Sequence, residues 1–402
     1  MAEAQVHYEI LVVGGGSAGM TTAAHLAKLL PGGFRKTSLA ILDRSDKHYY
    51  QPLWTLVGGG VYPREVTERR QADYIPKGAT WLRESVAEFF PEENYVLTGS
   101  GKAIHYSYLI VAPGIQVDWG KIPGLSESVG KNGVCSNYSY DTVSSTWDNI
   151  KNFKGGTAIF THPIPPLKCG GAPQKIMYLA DSHFRKTGVR DKSEIIYCSA
   201  IASIFQVKRY ADTLDKVIQR KGIVTKYRNN LIALRPDAKE AVFKHLDTGE
   251  ESVLRYDMIH VTPPQSSPDF VKRSPLSNQD GWVEVDKFTL QHVRHANVFS
   301  LGDASSLPTS KTGAAVRKQA PVVAKNLVSL IQGKPLAATY DGYTSCPLVT
   351  GYKSLVMAEF DYDQKPKESF PIDQSKERYS MYLVKKHVVP RLYWHGMLKG
   401  RA

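Results

Sequence analysis

Ile10-Leu11-Val12-Val13-Gly14-Gly15-Gly16-Ser17-Ala18-Gly19 runs from an apolar strand into glycines that feed a helical-looking stretch, Met20 to Leu30. A strand whose glycines open a helix brings backbone N–H groups and a helix N-terminus against a pyrophosphate. Gly14 permits the tight turn, Gly16 lets the backbone approach the phosphate, and Gly19 lets helix and strand pack closely. Ser17 and Ala18 supply backbone N–H groups at the helix start. The next strand, Ser38-Leu39-Ala40-Ile41-Leu42, ends in Asp43, an acid placed for an adenosine ribose. It falls beyond the usual ~20-residue spacing because Pro31 to Thr37 reads as a lengthened loop.

Around this block lie 402 residues, 42% hydrophobic and 22% charged, the composition of a folded chain with room for two or three domains. The net charge of +13 is spread along the sequence. It suits an anionic substrate or membrane surface, and with no nucleic-acid module present nucleic acid is not expected. Four cysteines, Cys135, Cys169, Cys198 and Cys346, are too few for a secreted disulfide scaffold. With neither a CxxC pair nor HExxH, no metal site is expected. Met1 to Gln5 carries no targeting-peptide pattern, and no stretch offers the ~18 consecutive apolar residues of a membrane span.

The first unit closes at Ser107-Tyr108-Leu109-Ile110-Val111-Ala112-Pro113-Gly114, which resembles the ATG-type motif of two-dinucleotide-domain flavoproteins with Pro in place of Thr. Ala296-Asn297-Val298-Phe299-Ser300-Leu301-Gly302-Asp303 resembles their second flavin motif, where Asp303 would meet the ribityl hydroxyls of FAD. Between them, strands at Thr157–Phe160, Glu194–Cys198 and Ile223–Tyr227 alternate with helices at Pro173–Arg185 and Ile204–Arg220, the pattern of βαβ units. The expected fold is α/β, two Rossmann-like dinucleotide-binding domains of glutathione-reductase type followed by a C-terminal amphipathic membrane-associating segment. The FAD-binding domain is discontinuous, residues 6–117 and 290–350. The second domain spans 118–289 and the C-terminal region 351–402.

The second domain lacks a nicotinamide fingerprint. Its first strand is followed by Thr161-His162-Pro163-Ile164-Pro165-Pro166-Leu167-Lys168-Cys169-Gly170-Gly171, where prolines lack the N–H groups a phosphate needs. The slot presents a cysteine instead. Together with Lys168-Cys169-Gly170-Gly171-Ala172-Pro173-Gln174-Lys175, the stretches Thr344-Ser345-Cys346-Pro347-Leu348-Val349-Thr350-Gly351, His260-Val261-Thr262-Pro263-Pro264 and Asp373-Gln374-Ser375-Lys376-Glu377-Arg378 resemble the sulfide:quinone oxidoreductases, most closely the mitochondrial-type branch.

That resemblance implies oxidation of hydrogen sulfide through a Cys169–Cys346 disulfide and FAD to a ubiquinone-type quinone. A persulfide forms on the way, and its sulfane sulfur passes to an acceptor thiol such as glutathione. It places Val86 at the adenine, Gln51 beside the flavin, and the loop carrying Lys311 and Gly313 before a helix aimed at the flavin pyrimidine. It also suggests a peripheral protein of the mitochondrial inner membrane. Cys198 and Cys135 read as small buried hydrophobes, although some bacterial members use a third cysteine.

Lys175 and Lys385 are expected near the sulfide and acceptor entrance. Ser380 to Arg401 mixes apolar, aromatic and basic residues suited to a headgroup boundary, with Pro390 breaking it into two short pieces. A type II NADH:quinone oxidoreductase and a non-catalytic flavin-binding scaffold are the alternatives. The first would need the missing fingerprint, and the second has no use for a thiol pair.

Overall fold

The computed structural model describes residues 6–402, so Met1 to Gln5 lie outside the described residues. Val6–Val13 forms the central strand of the first sheet, with Leu39–Leu42 and Ala103–Val111 parallel on either side. Ile10, Leu11, Val12, Leu109 and Ile110 are fully buried, because helices cover a parallel sheet on both faces and an unbroken apolar run is what that position requires. Val298–Ser300 pairs parallel with Leu109–Val111, returning the chain to this first sheet after the second unit. That return brings Gly302 against Ala18 and sets Asp303 on the cavity that the glycine turn faces.

The second sheet is parallel in the order Val134–Cys135, Met258–His260, Gly156–His162, Ser193–Ser199, Val224–Tyr227. Helices Ala172–Thr187 and Lys208–Lys221 connect its strands, and each stops at a left-handed glycine, Gly188 and Gly222. A glycine there satisfies the last carbonyls without a Cβ clash.

Thr344–Gly351 and Ser354–Phe360 form an antiparallel ribbon against the second-domain helix Ala172–Thr187. This ribbon crosses the expected boundary at residue 350, since its cross-strand hydrogen bonds bind both sides into one unit. The C-terminal run also departs from expectation. Pro390 does not break it. Backbone angles stay helical from Tyr379 to Lys399, with widened turns at Val384–Val388 and Leu392–Gly396. A widened turn accommodates the N–H that proline lacks and the crowding its ring causes. Met381, Tyr382, Tyr393, Trp394, Met397 and Leu398 pack into the core, while Leu383, Val388 and Leu392 stay exposed.

Candidate active site

The two halves of the chain meet at a cavity of about 860 Å³. One wall is the first crossover. Gly14 has φ +100°, and a Cβ there would stand 2.3 Å from the Ala112 carbonyl oxygen, so only glycine makes this turn. At Gly19 a Cβ would stand 1.9 Å from the Gly14 carbonyl oxygen. Gly16 differs: a Cβ would meet nothing within 4 Å, because the residue faces the cavity. Gly16 caps the helix Ser17–Leu29 without any side-chain cap and with no acid in its first turn. The leading N–H groups therefore face the cavity with their positive end uncompensated.

Ser17 and Ala18 line the same wall, and the Ser17 hydroxyl pairs with the Tyr393 hydroxyl at 2.7 Å. Asp303, next to the Gly302 that packs on Ala18, and Gly313 also line the cavity, and Thr312 caps the helix Gly313–Ile331 by accepting from the Ala315 N–H.

Cys169 stands on a further wall of the cavity, with Cys346 fully buried behind it. Cys169 sits at the N-terminal side of the helix Ala172–Thr187 with a left-handed φ of +49°. Its N–H donates to the Lys311 carbonyl at 3.1 Å, strapping the loop to the first domain. Its Sγ lies 3.1 Å from the Cys346 Sγ and 3.4 Å from the Lys175 Nζ. The Cys346 thiol donates to the Cys169 sulfur, and with the Lys175 charge and the Gly171 N–H this holds Cys169 well below an ordinary thiol pKa despite burial. The same hydrogen bond pushes Cys346 up, since it must keep its proton. One reactive thiolate beside one protonated partner is what thiol–disulfide exchange uses. Cys135 and Cys198 are fully buried, and burial pushes each up to about 12.

Gln51 lines the cavity and accepts from the Lys168 Nζ at 2.6 Å. Lys311 is no solvated loop lysine: its Nζ donates to the Asp303 and Ser305 carbonyls and sits 3.8 Å from the Trp282 ring centroid. Burial lowers it to about 8. Lys385 is buried and donates to the Pro52 carbonyl at 2.9 Å. Burial and then the Lys175 charge bring it down to about 7.

Asp43 and Val86 do not line the cavity. The Asp43 carboxylate accepts from the Gly15 and Ser45 N–H groups, and His48 and Gln71 bond the Gly15 carbonyl above it. Val86 opens the strand Val86–Phe90 with its side chain buried. Sequence reading missed Tyr343 and Glu359, which line the far end of the cavity. Strand alternation around Cys346 was the signal that would have found them.

An uncapped helix behind a glycine turn, sharing one cavity with Cys169 of a thiol pair, is the arrangement of an oxidoreductase of the disulfide–dinucleotide class. A family model described as pyridine nucleotide-disulphide oxidoreductase matches residues 8–144. The chain is 49% identical to the mitochondrial sulfide:quinone oxidoreductase of Mus musculus, over 99% of this chain and 88% of that protein. It is 50% identical to the Dictyostelium discoideum protein of the same name, over 98% and 86%. The X-ray structure of the sulfide:quinone oxidoreductase of Aquifex aeolicus shares the fold, with a TM-score of 0.82 over 99% of this chain and 92% of that one at 18% identity. The chain belongs to the sulfide:quinone oxidoreductase family.

The cavity suits a flavin dinucleotide. Gly16 leaves open space at the helix start, and Asp303 and Gly313 line the same cavity. Asp43 is half-buried, and each of its oxygens keeps an acceptor position beyond the one backbone N–H it binds.

Proposed function

We propose that this protein oxidises hydrogen sulfide and passes the two electrons through FAD to a ubiquinone-type quinone, handing the sulfane sulfur to an acceptor thiol such as glutathione. The observation that carries the reading is the Cys169–Cys346 pair, 3.1 Å apart, with Cys169 on the wall of the cavity that the glycine turn faces. In the oxidised enzyme hydrosulfide attacks the disulfide. One S–S bond forms as a persulfide while the other breaks, and the second cysteine leaves as a thiolate. The acceptor thiol then takes the outer sulfur and the pair returns to the disulfide, giving up two electrons. Overall, hydrogen sulfide, acceptor thiol and quinone become acceptor persulfide and quinol.

Bound FAD supplies the electron relay between the thiols and the quinone. Gly14, Gly16, Ser17, Ala18, Gly19 and Asp43 would hold its adenosine diphosphate side, with Val86 contributing backbone at the adenine. Gln51, Asp303, Lys311 and Gly313 would surround the flavin side. Lys175 keeps Cys169 ionised and attracts hydrosulfide, with Lys385 close by.

No helix among the described residues is long and apolar enough to cross a membrane. Exposed Leu383, Val388 and Leu392, with Lys386 and Arg391 nearby, support a run that rests on an anionic inner-membrane surface and opens the cavity to a lipid-borne quinone.

The test is the visible spectrum of the protein mixed with anionic vesicles that carry a long-tailed quinone. Sulfide bleaches the flavin band, the vesicle quinone restores it, and the protein sediments with the vesicles. Bleaching by NADH and none by sulfide would overturn the assignment.

A further inference from the structure

The ribbon that carries Cys346 has two faces. Cys346 is paired across the strands with Ala358, whereas its neighbour Ser345 is paired with Glu359 and Pro347 with Met357. Side chains alternate along a strand, so the thiol lies on one face and Ser345, Pro347, Met357 and Glu359 on the other. All four of these line the large cavity.

Glu359 is 4% exposed, an unusual place for a carboxylate in a ribbon with apolar neighbours. It accepts from the Tyr343 hydroxyl, from the Ser369 N–H at 2.7 Å and hydroxyl at 2.8 Å, and from the Gln374 side-chain amide at 2.7 Å. Ser369 is exposed and Tyr343 lines the cavity. Ser369, Glu359 and Tyr343 all line the cavity, so a hydroxyl, a carboxylate and a phenol form one hydrogen-bonded chain on its wall with Ser369 at the exposed end.

Resting on the sulfide:quinone reading above, we propose that Glu359 and Tyr343 form the relay that delivers protons to the quinone as it is reduced. Quinone takes two electrons and two protons to become quinol, and any proton that does not travel with the electrons has to enter the site from solvent. The Tyr343 O–H turns from the Glu359 carboxylate to pass its proton to a quinone oxygen. Glu359 carries a proton from solvent past Ser369 back to the Tyr343 oxygen, so that one proton enters the site for each one the phenol delivers. Burial and the Glu359 charge push the Tyr343 pKa up, so the phenol holds its proton at neutral pH.

The charged and titratable groups around this relay are identifiable on every packed element. Arg317 and Lys318 come from the helix Gly313–Ile331, the Lys318 Nζ lying 5.7 Å from the Tyr343 ring centroid. Tyr210 donates to the Glu359 carbonyl and reaches Glu368, which pairs with Arg209. Lys367 pairs with Asp341, and Lys385 lines the cavity from the C-terminal run.

The experiment uses the flavin-loaded enzyme reduced by dithionite, so that it stands apart from sulfide chemistry. Reoxidation is followed by stopped flow with a soluble quinone, and separately with ferricyanide, which takes up electrons without protons. Glu359→Gln and Tyr343→Phe should each slow the quinone reaction about tenfold or more, within the range of general acid catalysis. Each should also change its pH profile and solvent deuterium isotope effect, while Glu359→Asp restores part of the rate. Ferricyanide reoxidation should stay within about twofold of wild type.

Quinone rates near wild type in both variants, or equal slowing with ferricyanide, would overturn the relay. If one variant loses its flavin, the other decides. Failure of sulfide to reduce the wild-type flavin would instead count against the sulfide reading, leaving this result to stand on its own.

Discussion

The two crossovers of this molecule are built alike and do opposite things. Each takes a buried parallel strand into a loop and then a helix, Val6–Val13 into Ser17–Leu29 and Gly156–His162 into Ala172–Thr187. In the first, glycines keep the loop short and leave bare N–H groups at the helix end, a surface for an anionic diphosphate. In the second, Pro163, Pro165 and Pro166 remove N–H donors and the lengthened loop ends at Cys169, with Gly171 packed so closely on Leu348 that a Cβ would have to displace the Leu348 methyl. The helix end there stabilises a thiolate that is part of the protein itself. On the function proposed above, the same helix polarity serves a bound anion in one domain and a built-in one in the other.

The comparison breaks most visibly at the thiols. Cys169→Ser and Cys346→Ser should each reduce sulfide–quinone turnover about a thousandfold or more, and the double variant should lose no more than either, because the pair acts as a unit. The flavin should remain bound, while Cys198→Ala, a change in the interior of the second sheet, should keep most of the activity. Steady-state assays with flavin absorbance on each variant check this. A single cysteine variant turning over near the wild-type rate would end the exchange mechanism.

At the first crossover the sharpest probe is Gly16→Val. A Cβ there meets no protein atom within 4 Å, so the fold should tolerate it while the side chain fills the phosphate space. Circular dichroism should match wild type and the purified protein should lose most of its flavin. Retained flavin would mean that the turn is not the cradle.

The smallest effect concerns the electrostatics of the second crossover. In the reduced enzyme Cys169 should be alkylated by iodoacetamide as a thiolate across neutral pH, with a midpoint well below the ordinary thiol value of about 8.5. A lowered pKa leaves the thiolate populated above that midpoint, so the rate falls only as pH drops through it. Lys175→Ala removes the cation 3.4 Å away and should raise the midpoint by about one unit. An unmoved midpoint would leave the Cys346 hydrogen bond and the Gly171 N–H as the causes.

Legibility in the sequence followed the range of the interactions involved. The strands at Ile10–Val13 and Glu194–Cys198 announce themselves because continuous apolar runs suit only strands covered on both faces. The glycine turn, the prolines before Cys169 and the helix start at Gly313 are local backbone chemistry, readable without knowing what packs against them. Pro390 misled for the same reason. Its local rule is to break a helix, and the core that buries Tyr382, Tyr393 and Trp394 holds the run together through widened turns.

By itself, then, the sequence determined where the glycine turn lies, that the second domain carries a cysteine in the matching slot, and which family motifs surround it. Only the tertiary structure decided that Cys169 and Cys346 stand 3.1 Å apart with Lys175 beside them. It also decided that Lys311 is locked onto Trp282 and that Glu359 and Tyr343 share a cavity with the thiol loop. Those facts depend on strand register and on how two domains close over one another. A single-residue slip in the ribbon would exchange Cys346 with Ser345 at the thiol face, and only packing fixes that register.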